Sequence, residues 1–256
     1  EAAIKGALPN LIEIRDIKGD LHTHSNWSDG QQSLEELVKV SMDRGYEYIA
    51  VTDHSKGLGI AHGLNEDRII EQKKMVDAIN KKITGFRLLS GVEVNIKSDG
   101  KLDFDDNILK KLDIIVAAIH SGFRQSKEQI TKRIIMATEN PYVSIIAHPS
   151  GRLIGERDAY EADLEEIFDS ALKTGTALEI NAYPLRLDLT DISVKMAKYK
   201  KIPLVINTDS HNISQFDYMN FGIAVAKRGW IEKKDVLNTG TCKRLISKLK
   251  NRAKQV

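Results

Sequence analysis

The sequence predicts an α/β fold, a (β/α) barrel, and three observations carry that prediction. Seven short runs rich in Val, Ile and Ala are each closed by a polar residue and followed by a helix-like stretch, the alternation expected of a parallel α/β sheet. Runs such as IIVAAIH and VSIIAHP are apolar almost without interruption, so both faces of those strands are buried. Six of the seven histidines stand at the C-terminal ends of such runs, and in a parallel barrel those ends open on one face.

Residues 1–18 contain several Ile and Leu but no strand pattern, and read as a segment packed beneath the barrel or as the end of a linker. The strand runs then follow at 19–25, 46–55, 86–96, 112–121, 143–150, 177–183 and 203–210. The first helix is well marked: Ser33 is an N-cap, Glu36 three residues on completes a capping box, and Gly45 supplies the stop. Leu34, Leu37, Val38 and Met42 form its apolar stripe. Further helices are expected over 65–82, 126–139, 161–174 and 188–200, so that 19–256 reads as one domain.

A chain of 256 residues can bury a large core without disulfides. Its one cysteine, Cys242, has no partner within the chain and reads as a half-buried thiol on the last helix, which fits a reducing compartment. No apolar run approaches the roughly 20 residues that span a bilayer, and no signal pattern opens the chain, so a cytoplasmic protein without membrane contact is expected. The chain begins at Glu1, which suggests a trimmed domain or a piece of a longer polypeptide. Net charge is +2, which neither demands nor excludes nucleic acid. Lys243, Arg244, Lys248, Lys250, Arg252 and Lys254 form a C-terminal segment without acids, read as a solvated helical tail, with a phosphate-binding patch as the alternative.

Chemistry emerges from the strand ends taken together. In GDLHTHSNWSDG, His22 and His24 share a strand face and Asp29 lies in the turn closed by Gly30. Later runs end in Asp53 and His54, Glu93, His120, His148, Glu179 and Asn181, and finally Asp209 and His211. Nine of these groups, His22, His24, Asp29, His54, Glu93, His120, His148, Asp209 and His211, exceed what one metal ion needs and suit two or three. A nitrogen and oxygen donor set without Cys favours Mn²⁺, Zn²⁺ or Fe²⁺. Ions about 3.5–4 Å apart clamp a phosphoryl oxygen and activate a bridging water. Phosphoester hydrolysis is therefore the expected reaction, with Glu93 or Asp209 as the bridging carboxylate. Ser55, Ser121, Ser150 and Ser210 follow candidate ligands, but none lies in a nucleophile elbow, and turn closure is their expected role.

In this order and across nearly the whole chain, GDLHTHSNWSDG, TDHS, SGVEVNI, AAIHS, AHPSG and NTDSH resemble the motifs of the PHP (polymerase and histidinol phosphatase) superfamily. The resemblance implies a distorted seven-stranded TIM-like (β/α) barrel with a trinuclear metal centre at the C-terminal face of the strands. It places His22, His24, Glu93 and Asp209 on one ion, Glu93, His120 and His148 on a second, and Asp29, His54 and His211 on a third. Glu93 would be the bridge, and Glu93, His120 and Asp209 would act at the reacting phosphate. Every ligand position expected of an active member is filled.

Longer stretches, IRDIKGDLHTHSNWSDG, DHSKGLGIAHGL, HPSGRLIGERDAY, EINAYPLRLDL and FGIAVAKRGWIEKKDVLNT, are most similar to the C-terminal PHP domain of bacterial and archaeal family X DNA polymerases. That similarity implies a Mn²⁺-dependent 3′→5′ exonuclease of DNA repair, acting on DNA 3′ ends including blocked ends and abasic sites. The polymerase segments are absent from these residues, so the chain would be an excised domain or a stand-alone relative. Arg152 and Arg186, in loops beside expected ligands, are candidates for binding substrate phosphate. His62 reads as a loop residue, and Tyr183 as a half-buried tyrosine with base stacking as the alternative. Two other readings are a histidinol-phosphatase-type enzyme for a small phosphate ester, and a non-catalytic module retaining metal for stability. The first needs a small capped pocket where a nuclease needs an open basic groove.

Overall fold

The computed structural model describes residues 2–252, so Lys254 of the basic segment lies outside the described residues. Seven parallel strands follow one another in chain order, β1 (Gly19–Thr23), β2 (Tyr48–Val51), β3 (Arg87–Asn95), β4 (Ile114–Ala118), β5 (Ile145–Ile146), β6 (Ala177–Asn181) and β7 (Leu204–Asn207). Helices α1 (Leu34–Asp43), α2 (Glu66–Asn80), α3 (Asp106–Leu109), α4 (Lys127–Glu139), α5 (Leu164–Thr174), α6 (Asp191–Tyr199), α7 (Met219–Arg228) and α8 (Cys242–Arg252) alternate with or follow them. The result is a nearly closed α/β barrel of the TIM-like kind.

Closure between β1 and β7 depends on side chains in place of a full ladder. Asn238, arriving from a 3₁₀ turn, donates from Nδ2 to the carbonyls of Gly19 (2.8 Å) and Ile206 (2.7 Å) and accepts from the Ile206 amide at 3.1 Å. Above it, Asp20 accepts from the Thr208 amide and hydroxyl, and Asn207 Oδ1 from the Leu21 amide. β1 also carries a bulge: its pairing with β2 passes from Asp20–Ile49 to Thr23–Val51, one extra residue on β1. Leu21 therefore packs with Tyr48, Ala50 and Val205 while His22 also faces the centre.

Helix starts follow their caps. Ser33 and Ser126 form the capping boxes of α1 and α4, and Asn65 caps α2. The two starts expected at 161 and 188 fall later, because Asp163 and Thr190 are the caps that bind free amides. Met42, expected in the α1 stripe, is 45% exposed, and Ser41 takes the buried position instead. α7 packs closely on β6 and β7, since a Cβ on Gly222 would lie 2.5 Å from Ile206 Cγ2.

The C-terminal segment is not a solvated tail. Leu245 of α8 is buried in the cluster formed by Leu21, Tyr48, Ile114 and Val205, with half-buried Cys242 against it. Arg252 is buried too and donates to the carbonyls of Thr138, Asn140 and Pro141. Lys243, Arg244 and Lys248 face solvent. At the other terminus Ile12 and Ile17 enter the main core, and Ile12 N–H donates to the Ile231 carbonyl. No helix among the described residues is long and apolar enough to cross a membrane.

Candidate metal centre

Six of the seven histidines converge on the open end of the barrel around the Glu93 carboxylate. One oxygen, Oε1, lies 3.2 Å from His120 Nε2 and 3.0 Å from His148 Nε2. The other, Oε2, lies 2.9 Å from His54 Nδ1, 3.4 Å from His22 Nε2 and 3.6 Å from His24 Nε2. Asp209 Oδ1 approaches His24 Nε2 at 3.1 Å and His22 Nε2 at 3.5 Å. Asp29 lies toward the mouth, 3.5 Å from both His54 Nε2 and His211 Nε2. The seventh histidine, His62, is in the exposed loop after β2.

Candidate ligand atoms fall into three groups, each within 4.8 Å: His22, His24, Glu93 and Asp209; His54, Glu93 and His120; and His24, Asp29, His54 and His211. His148 reaches Glu93 but falls outside these groups, while His24 and His54 each belong to two. The grouping differs there from the partition that the family resemblance implies, which gave His148 to the second group and neither shared histidine to two. Only a folded centre can show sharing of that kind.

The residues fit divalent cations. Donors held about 2.1 Å from a common ion stand about 3–3.4 Å apart, close to the spacings here. His22 Nε2, His24 Nδ1, His54 Nδ1, His120 Nδ1 and Glu93 Oε2 are buried without a hydrogen-bond partner. Orphaned donor atoms of that number are costly unless something satisfies them. With only nitrogen and oxygen donors, the set suits borderline or hard cations.

Charge is strongly coupled here. Burial opposes ionisation of Glu93, yet His54, His120 and His22 outweigh it and hold the carboxyl well below the usual range. Burial likewise opposes protonation of His22, but Asp209, Glu179 and Glu93 hold its imidazole well above the ordinary range. His24, buried and beside His211 and His54, is pushed down to about 3. His148, by burial and then the charge of Arg186, falls to about 4.

Outer partners fix these side chains. Glu179, buried on β6, accepts from His22 Nδ1 at 2.8 Å, leaving Nε2 aimed into the centre. It also accepts from the His148 amide, Asn181 and Asn207. Asp53 accepts from Ser25, Ser28 and Gln72, fixing the turn that carries Asp29, and a Cβ on Gly30 would collide with the His24 carbonyl at 2.4 Å. His148 (φ 30°) and Asp209 (φ 55°) occupy the left-handed region, a strain of about 1–3 kcal/mol each that clusters at functional sites.

The sequence reading missed Arg133. Buried on α4, it donates to the carbonyls of Ile96 and Lys97 beyond β3 and of Ser121 and Gly122 beyond β4, tying together the loops that follow Glu93 and His120. No motif marks such a residue. Of the two arginines singled out, Arg186 Nε lies 3.4 Å from Asp209 Oδ2. Arg152 instead donates from Nε and Nη2 to the carbonyls of Arg186 and Leu187, so its fork braces the loop that presents Arg186. Asp188, expected to open a helix, is buried and accepts from the Ser150 and Gly151 amides.

Residues 20–183 match the PHP domain family, and the chain belongs to it. The fold and donor set thus define a metal-dependent phosphoesterase of the PHP class. The chain is 48% identical over 240 residues to the DNA polymerase/3′-5′ exonuclease PolX of Bacillus subtilis, covering 94% of this chain but 42% of that protein. It is 32% identical over 234 residues to a probable phosphatase of Thermoanaerobacter sp. strain X514, covering 86% and 89% of the two chains. The fold resembles a histidinol phosphate phosphatase of Lactococcus lactis solved with zinc, L-histidinol and phosphate, with a TM-score of 0.58, 18% identity, and coverage of 83% and 93%. Asp209 and His211 lie beyond the matched family segment, so their membership of the centre rests on the geometry above.

Proposed function

We propose that the chain is a 3′→5′ exonuclease, a 3′-end phosphodiesterase acting on DNA, and that it forms the PHP domain of a family X polymerase whose polymerase segments lie outside these residues. The observation that carries this reading is the 48% identity to PolX across 94% of the chain, loops included. We assign His22, His24, Glu93 and Asp209 to one ion, Glu93, His120 and His148 with His54 to a second, and Asp29, His54, His211 and His24 to a third. Mn²⁺ is the proposed activating metal. When bound, such ions polarise a phosphoryl oxygen and lower the pKa of water.

The chain's own groups do the rest. Glu93 presents an oxygen to each side of the centre and is the proposed bridge. Asn181 donates to Asp209 and Glu179 to hold both in place. Arg186 offers its guanidinium to a non-bridging phosphate oxygen, and Arg152 keeps that loop rigid. A second reading, a phosphatase for a small phosphate ester of the histidinol-phosphatase type, draws support from the full-length similarity to probable phosphatases.

The test incubates Mn²⁺-loaded protein with a 5′-labelled oligonucleotide, histidinol phosphate and a generic phosphomonoester. The proposal expects a ladder shortening from the 3′ end, lost in Glu93→Ala. Phosphate release from the small esters with the oligonucleotide intact would overturn it in favour of the phosphatase.

A further inference from the structure

Tyr183 leaves the end of β6 on the metal face, with its amide donating to Asn181 Oδ1 at 3.0 Å. Its carbonyl accepts from the Arg186 amide at 2.8 Å, so one short turn carries both the tyrosine and the arginine beside Asp209. Aromatic surface continues outward from there. Tyr218, at the end of the 3₁₀ stretch that follows His211, meets Tyr183 edge-on with ring centroids 5.7 Å apart. Phe221, in the first turn of α7, lies 6.0 Å beyond Tyr218. α7 is anchored by Met219, Ile223 and Ala226 on its buried side, and that packing leaves Phe221 48% exposed.

We propose that Tyr183, Tyr218 and Phe221 form a stacking track for unpaired bases of single-stranded nucleic acid, leading away from the metal centre along the nucleotides upstream of the 3′ end. The inference rests on the nuclease reading and adds where the strand lies. Its steps near 6 Å are comparable to the spacing of consecutive nucleotides in an extended strand. Stacking on aromatic faces tolerates any base, which suits an enzyme that shortens ends one residue at a time. Continuity decides the occupant: the track starts at the turn that carries Arg186, so a ligand whose phosphate lies at the centre and which extends along the rings is a polynucleotide. A small phosphate ester ends before Tyr218.

The experiment compares Tyr183→Ala, Phe221→Ala and Tyr183→Phe with the unaltered protein. It measures kcat/KM in Mn²⁺ on a single-stranded oligonucleotide and on bis(p-nitrophenyl) phosphate, and oligonucleotide binding by fluorescence anisotropy in EDTA, where nothing is cut. The two alanine variants should lower the oligonucleotide to small-diester ratio roughly fivefold or more and weaken anisotropy binding in parallel. Tyr183→Phe should restore the ratio. An unchanged ratio in a protein that still degrades oligonucleotides overturns the track and leaves the nuclease reading standing. If the unaltered protein neither binds nor degrades oligonucleotides, both fall.

Discussion

Two glutamates buried at strand ends divide the labour of the centre. Glu93 faces five imidazoles, whereas Glu179 faces one imidazole, one backbone amide and two side-chain amides. Alternation along β6 put Glu179 on the right face, but sequence could not say whether it reached an ion or a ligand, because that depends on the 2.8 Å contact to His22. Glu179→Gln keeps its shape and removes an acceptor, so metal affinity should fall about 10–100-fold with the fold intact; an unchanged metal titration would show that His22 needs no such support. Asp188 gives a pH signature. Burial raises its carboxyl to about 6, against 3.8 for the exposed group. Between those values the folded chain holds a proton that the unfolded chain has released, so stability falls as pH rises through that window and levels off above it. The loss is about 3 kcal/mol, and Asp188→Asn should remove it. Denaturant unfolding between pH 4 and 7 checks this; equal slopes in both proteins would contradict it.

Where a helix begins with a side-chain cap, the sequence could be read closely, as Ser33 and Ser126 show; where a nearby acid competed with the true cap, as before α5 and α6, it was read three residues early. The seven apolar runs became the seven strands, though β5 keeps only Ile145–Ile146 of its run because the backbone turns at His148. The gathering of the strand-end histidines and acids on one face was legible because strand ends of a parallel barrel must converge. The β1–β7 seam was not, since it is made by Asn238, a polar residue with no periodicity around it. Its side chain makes three buried bonds to two strands. Asn238→Ala should therefore cost about 2–4 kcal/mol by leaving buried backbone groups unpaired. A loss below about 0.5 kcal/mol in urea unfolding would mean that the Asp20–Thr208 and Asn207–Leu21 contacts and the His24–Ser210 backbone bond hold the seam without Asn238.

As a whole, the molecule is a barrel plugged at one end by Leu245 of α8 and left open at the other, where its charged groups gather. The closed end is apolar and could not be foreseen from a segment whose charges are all basic; Leu245 turns inward and Lys243, Arg244 and Lys248 outward, while Arg252 is buried against backbone carbonyls. The open end holds more coordinating atoms than hydrogen bonds satisfy, and bound cations would take up the remainder. The most direct measurement is a crystal soaked in Mn²⁺ and measured by anomalous diffraction at the manganese edge. Two or three peaks are expected within coordination distance of the three groups of candidate ligands, with Glu93 between two of them and at least one peak lost in Glu93→Ala. A clean map with no peak near Glu93, from protein that still hydrolyses phosphoesters, would contradict it.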